Sequence, residues 1–187
     1  MTLAALGTDA LWIPVKDGDA RAYGLYRRHY SARKNLRPRI RQLVGPGEHM
    51  ILLTPESDAL FVWRKFIDAS GQQGVNCSVF RNEGERRSSD LIREAVALAK
   101  RRWPGERLYT YVNAAKVSSP NPGYCFKMAG WRRYRDCGGV DRCVCLTKPR
   151  KARCGKTKGG LLVLECRPAS GGRLLDGREW DEMPEAR

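Results

Sequence analysis

The chain has 187 residues and a formal charge of +15, from 35 Lys and Arg against 20 Asp and Glu. That length suits one packed domain with a short appendage, and the surplus charge favours a polyanionic partner, most simply nucleic acid. No apolar run approaches the roughly 20 residues of a membrane span, and no charged start with a long apolar stretch marks a secretory signal. The expectation is a cytoplasmic protein whose seven cysteines form no disulfide framework.

Residues 11–15 (LWIPV) read as a strand, placed at a sheet edge because Pro14 has no ladder donor. Asp17-Gly18-Asp19 offers caps for a helix over residues 20–30. In it Tyr23, Tyr26, His29 and Tyr30 recur at three- and four-residue spacing, so one face is aromatic. His29 lies near the helix end, where a histidine serves either the core or chemistry near neutral pH. Residues 33–41 (RKNLRPRIR) are too basic to pack and contain Pro38, so they read as a loop or broken helix. Guanidinium forks fit phosphate oxygens and guanine edges, which makes Arg33, Lys34, Arg37, Arg39 and Arg41 candidate DNA contacts.

Three strands are expected at residues 50–54, 60–67 and 75–81, joined by turns at Ser57-Asp58 and residues 71–74 as an antiparallel meander. Leu91, Ile92, Ala95, Val96, Ala99 and Trp103 then mark one stripe of a helix, with Ser88 or Ser89 as its cap and Pro104-Gly105 as its end. Residues 107–112 (RLYTYV) alternate as a strand does. They lead through a polar corner to a short helix over residues 123–129, stopped at Gly130. The corner would present Ser118, Ser119, Asn121 and Tyr124 beside helix amides that favour an anion. An ordinary polar loop is the other reading.

Residues 159–166 are a final apolar strand, and residues 168–187 read as a loosely ordered tail. Between lie Cys137, Cys143, Cys145 and Cys154, at intervals of five, one and eight residues. Four thiolates suffice for tetrahedral zinc, but the intervals match no C-x-x-C pair, and reduced cysteines in a hairpin are the alternative. Lys148, Arg150, Lys151, Arg153, Lys156 and Lys158 make this stretch a second basic surface for a phosphate backbone.

The element order over roughly residues 11–166 resembles the GCN5-related N-acetyltransferase (GNAT) fold, an α/β (α+β) architecture with a mixed, mostly antiparallel sheet flanked by helices. The resemblance implies that residues 75–81 and 107–112 splay apart around the pantetheine arm of an acyl-CoA. Its pyrophosphate would rest at the start of the helix from Ser88, near Arg81, Arg86, Ser88 and Ser89. The glycine positions of that family's phosphate loop fall here on Arg86 and Ser88, and its frequent catalytic tyrosine falls on Phe126. The segments RRHYS, FRNEGERRSSDLIREA, YTYVNAAKVSSPNPGYCFKMAGW and TKGGLLVLE carry a narrower resemblance to the Mom family of bacteriophage DNA-modification proteins. That resemblance implies double-stranded DNA as substrate and conversion of adenine to N6-carbamoylmethyladenine as an anti-restriction modification. It also implies a small-molecule donor and a pocket with His29 and Tyr30 facing Ser119 and Tyr124. Iron on His29 is a further implication, with Asn121 and the basic segments on the DNA. Residues 1–167 would form the domain, and residues 134–153 a Cys-rich basic insertion. A conventional acetyl-CoA-dependent acetyltransferase and a non-catalytic DNA-binding protein are the alternatives on the same fold.

Overall fold

A computed structural model describes residues 10–32, 42–67, 73–117, 119–133 and 161–166. They form a mixed α/β structure. In chain order the elements are β1 (Ile13–Val15), α1 (Ala20–Arg28), β2 (Glu48–Leu53), β3 (Ala59–Lys65), β4 (Val75–Asn82), α2 (Ser88–Arg102) and β5 (Leu108–Asn113). A single 3-10 turn (Ala114–Lys116), α3 (Tyr124–Met128), β6 (Arg132–Arg133) and β7 (Leu161–Cys166) follow. The strands make one open sheet in the order β1-β2-β3-β4-β5-β7-β6. Every neighbouring pair is antiparallel except β4 and β5.

The sheet is covered on both faces, and strand alternation sorts the residues. On β3, Phe61 and Trp63 face α2 with Trp12, Val75 and Leu108, while Leu60 and Val62 face α1 with Ile51, Leu53 and Val79. The expected stripe of α2 is buried: Leu91, Ile92, Ala95, Val96, Ala99 and Trp103 all lie in the core. Two indoles complete that contact, Trp12 Nε1 donating to Leu91 O at 2.8 Å and Trp63 Nε1 to Ala95 O at 3.1 Å. A buried indole N–H needs such an acceptor. Pro14 does sit in the edge strand, and β2, β3 and β4 are the expected meander.

Several local expectations change. Helix α1 starts as expected, with Asp19 accepting from the amides of Arg21 and Ala22 at 2.9 and 3.2 Å. It ends at Arg28, because His29 takes an extended conformation (φ −77°, ψ 142°). Neither Ser88 nor Ser89 caps α2. The N-cap is Arg87, with no side-chain cap bond. The Ser88 hydroxyl instead accepts from Asn82 Nδ2 at 3.0 Å. Helix α3 spans Tyr124–Met128, with Gly123 as its N-cap in the left-handed region at φ 76°. Strand β6 was not expected; it pairs Arg132 with Glu165. The Cys-rich stretch and the tail lie outside the described residues. Among the described residues no helix is long and apolar enough to cross a membrane.

Candidate functional site

Strands β4 and β5 pair in parallel at only three positions, Val75 with Leu108, Asn76 with Tyr109 and Cys77 with Thr110. Thr110 Oγ1 donates to Cys77 O at 2.9 Å at the last of these. Each strand then follows its outer neighbour. Strand β4 stays paired to β3 as far as Asn82 with Ala59, and β5 to β7 as far as Asn113 with Leu161. The gap between them is a cavity of about 130 Å³. Its walls are Cys77, Ser78 and Phe80 from β4, and Thr110, Tyr111 and Val112 from β5. Gly123, Cys125 and Phe126 also line it, as do His29 and Tyr30, which follow α1.

His29 and Tyr30 are therefore brought to one cavity. Their ring centroids are 4.3 Å apart. Burial, with Arg81 nearby, pushes the His29 pKa down to about 4, so the imidazole is neutral at pH 7. Its Nδ1 lies 3.2 Å from the Ser31 amide and 2.7 Å from Ser31 Oγ. The amide can only donate, so Nδ1 accepts and the neutral ring carries its proton on Nε2. Tyr30 Oη donates to Tyr111 O at 3.4 Å and reaches the Asn113 amide at 3.5 Å. It thus reaches the backbone of β5 from the end of α1. Burial raises its pKa.

Ser119 and Tyr124 do not line this cavity, contrary to the expected pocket opposite His29. Ser119 is exposed and its hydroxyl accepts from the Asn121 amide at 3.2 Å. Tyr124 is 54% exposed. The helix periodicity explains this: Gly123, Cys125 and Phe126 take the inward positions at this corner, which leaves Tyr124 outward. Asn121 is exposed too and accepts from Lys127 Nζ.

The expected donor-binding residues are split among different partners. Arg81 is committed: Nε donates to Glu83 Oε1 at 2.5 Å and Nη1 to Arg28 O at 2.6 Å. Arg86 pairs with Glu56 at 3.1 Å on the surface. Ser88 and Ser89 occupy the first turn of α2, whose start has no side-chain cap. Glu83 receives Arg28 in two bonds, 2.7 and 2.6 Å, in addition to Arg81. Arg28 first, then Arg81, hold its pKa down at about 2 against the cost of burial.

The sequence reading missed Cys77, Thr110, Tyr111 and Cys125 as cavity residues. The alternation of RLYTYV could have placed Thr110 and Tyr111 on opposite faces; nothing local marks the cysteines. Burial raises the pKa of both the Cys77 and Cys125 thiols, so they stay protonated and poor as nucleophiles. Among the described residues no three His, Cys, Asp or Glu side chains gather to hold a metal. His29, its Nδ1 engaged, offers one ligand, so the described residues do not fit an iron centre. Cys137, Cys143, Cys145 and Cys154 lie outside the described residues. So do Arg33, Lys34, Arg37, Arg39, Arg41, Lys148, Arg150 and Lys151. No family model, curated protein or solved structure matches the chain.

Proposed function

We propose that the chain is a DNA-modifying transferase of the Mom type, altering adenine in double-stranded DNA on a GNAT-like fold. The observation that supports this best is the cleft between the separating parallel strands, with His29 and Tyr30 at it, in a chain of charge +15. An acyl-CoA or related donor would lie between β4 and β5. Its phosphates would meet the free amides at the start of α2, at Ser88 and Ser89, and Arg86 if it leaves Glu56. The adenine amine is hidden by pairing and stacking, so the base must leave the duplex to react. His29, neutral and protonated on Nε2, would donate a hydrogen bond to an acceptor on the reacting group. No step is assigned to iron. The protein would act in the cytoplasm of a phage-infected host.

The test is mass spectrometry of nucleosides from DNA of cells expressing the chain. A modified adenine is expected, and its absence alongside tight DNA binding would leave a scaffold that binds without chemistry.

One observation favours a second reading, a conventional acetyl-CoA-dependent N-acetyltransferase. The uncapped start of α2 suits a CoA pyrophosphate whatever the acceptor. Against it, Phe126 is 5% exposed and has no hydroxyl where that family often uses a tyrosine. Acetyl-CoA turnover with small amines, without DNA, would decide for it.

A further inference from the structure

Three consecutive residues at the end of α1 span the gap between the separated strands. Arg28 is tied to the β4 side through Glu83, Tyr30 meets the β5 backbone, and His29 stands between them at the cavity. The two anchors are unequal. At β4 the bonds are charge-assisted and short, 2.5 to 2.7 Å, and Arg81 also reaches the Arg28 carbonyl that α1 leaves open at its end. At β5 a single phenol reaches two backbone groups at 3.4 and 3.5 Å. Of the two polar anchors, the one at β4 is therefore the stronger.

We propose that Glu83 is a positioning residue for the cleft: its carboxylate gathers Arg28 and Arg81 into a clasp that holds the end of α1 against β4, and so sets where His29 and Tyr30 stand. This rests on the reading of those two residues as the working groups; the clasp itself rests on the geometry alone.

The carboxylate is well anchored for that role. Glu83 N donates to Asp58 O at 2.8 Å, and Asn82 spans the segment after β4, bonding the Gly84 amide at 3.0 Å and Arg86 O at 2.7 Å. A Cβ on Gly84 would sit 1.9 Å from Asp58 Oδ2, so the backbone beside Glu83 has no room to shift toward that turn. The clasp is not part of either apolar core. The side chains of Arg28, Arg81 and Glu83 are 53%, 31% and 30% exposed. Ion pairs that accessible add little to stability. What their geometry fixes is orientation. Without the carboxylate, two guanidiniums would face each other unneutralised beside His29.

The test uses the full chain with Glu83→Gln, which keeps the shape and removes the charge. The first readout is NMR: cross-peaks between the His29 and Tyr30 rings, and between the Tyr30 ring and the Asn113 amide. Loss of the Tyr30–Asn113 cross-peak, with β2–β3 and α2 signals unchanged, is expected. The second is adenine modification, expected to fall at least about tenfold in kcat at unchanged DNA affinity, as misplacement of a working group does. Glu83→Asp, which keeps the charge, should recover part of both. Arg28→Gln, which leaves the Arg81–Glu83 pair, should move both readouts the same way by less. Arg21→Gln, which breaks the exposed Arg21–Asp19 pair at the other end of α1, should move neither. Wild-type cross-peaks in Glu83→Gln would overturn the proposal. So would displaced rings with unchanged kcat, or global unfolding, which would assign Glu83 to the fold. If the wild-type chain modifies no DNA, the enzymatic reading fails while the NMR comparison still decides the clasp.

Discussion

His29 and Glu83 titrate in neighbouring windows, and both weaken the fold on acidification. The folded His29 pKa of about 4 lies below its ordinary 6.5, so the unfolded chain takes up that proton first. Its contribution is complete above pH 6.5 and is lost as pH falls toward 4. Glu83 falls from an ordinary 4.5 to about 2, so its contribution is present above 4.5 and lost as pH falls through 2. Denaturant midpoints should therefore decline between pH 6.5 and 4 through His29, and only slightly further toward pH 2, because solvent screens the partly exposed Glu83 pairs. His29→Gln should flatten the decline between pH 6.5 and 4. A midpoint that rises between pH 6 and 4 would mean that His29 is not desolvated. For chemistry, on the proposed function His29→Ala should abolish adenine modification and leave DNA affinity nearly intact, because the expected phosphate contacts are assigned to other residues. Tyr124 stands outside the cavity, so Tyr124→Phe should change stability by less than about 0.5 kcal/mol and leave the rate close to wild type. A large loss of rate at unchanged stability would return Tyr124 to the reaction.

At the scale of elements, the two long helices start differently, and substitutions should show it. Asp19 bonds two amides of α1, so Asp19→Ala should cost about 0.5–2 kcal/mol in urea unfolding. Ser89 makes no cap bond at α2, and Ser89→Ala should cost almost nothing. Equal losses would show that α2 is capped by Ser89 in solution. Helix α3 depends on one glycine. A Cβ at Gly123 would lie 2.5 Å from Cδ1 of the buried Leu164, at φ +76°. Gly123→Ala should cost about 1–3 kcal/mol from the backbone conformation alone. Because Gly123 lines the cavity, the same change should displace Phe126 and disturb the cleft. An Ala variant as stable as the wild type would mean that this corner repacks freely.

At the scale of the molecule, the charge of +15 makes a prediction that does not depend on the cleft. Binding to duplex DNA, followed by fluorescence anisotropy, should weaken by orders of magnitude between low and moderate salt, with a linear dependence of log K on log salt. Replacing Arg33, Lys34, Arg37, Arg39 and Arg41 with Gln should reduce that slope, and so should neutralising Lys148, Arg150 and Lys151. Binding that ignores salt would remove the electrostatic support for a DNA substrate.

Composition and periodicity by themselves determined the class of the chain and most of its elements. The stripe Leu91 to Trp103, the meander of β2 to β4, the edge placement of Pro14 and the Asp19 cap are local patterns, and local patterns survive folding. What the tertiary structure decided is non-local. Asn82 claims the Ser88 hydroxyl that would otherwise serve as a cap, from six residues away. Glu83 joins Arg28 and Arg81 across more than 50 residues of chain. The cavity exists because β4 and β5 each hold to a different outer strand, and no window of sequence contains both commitments. Tyr124 was legible as a tyrosine in a promising corner. Its outward direction depended on where α3 met the sheet, which a left-handed glycine and the bulk of Leu164 settled.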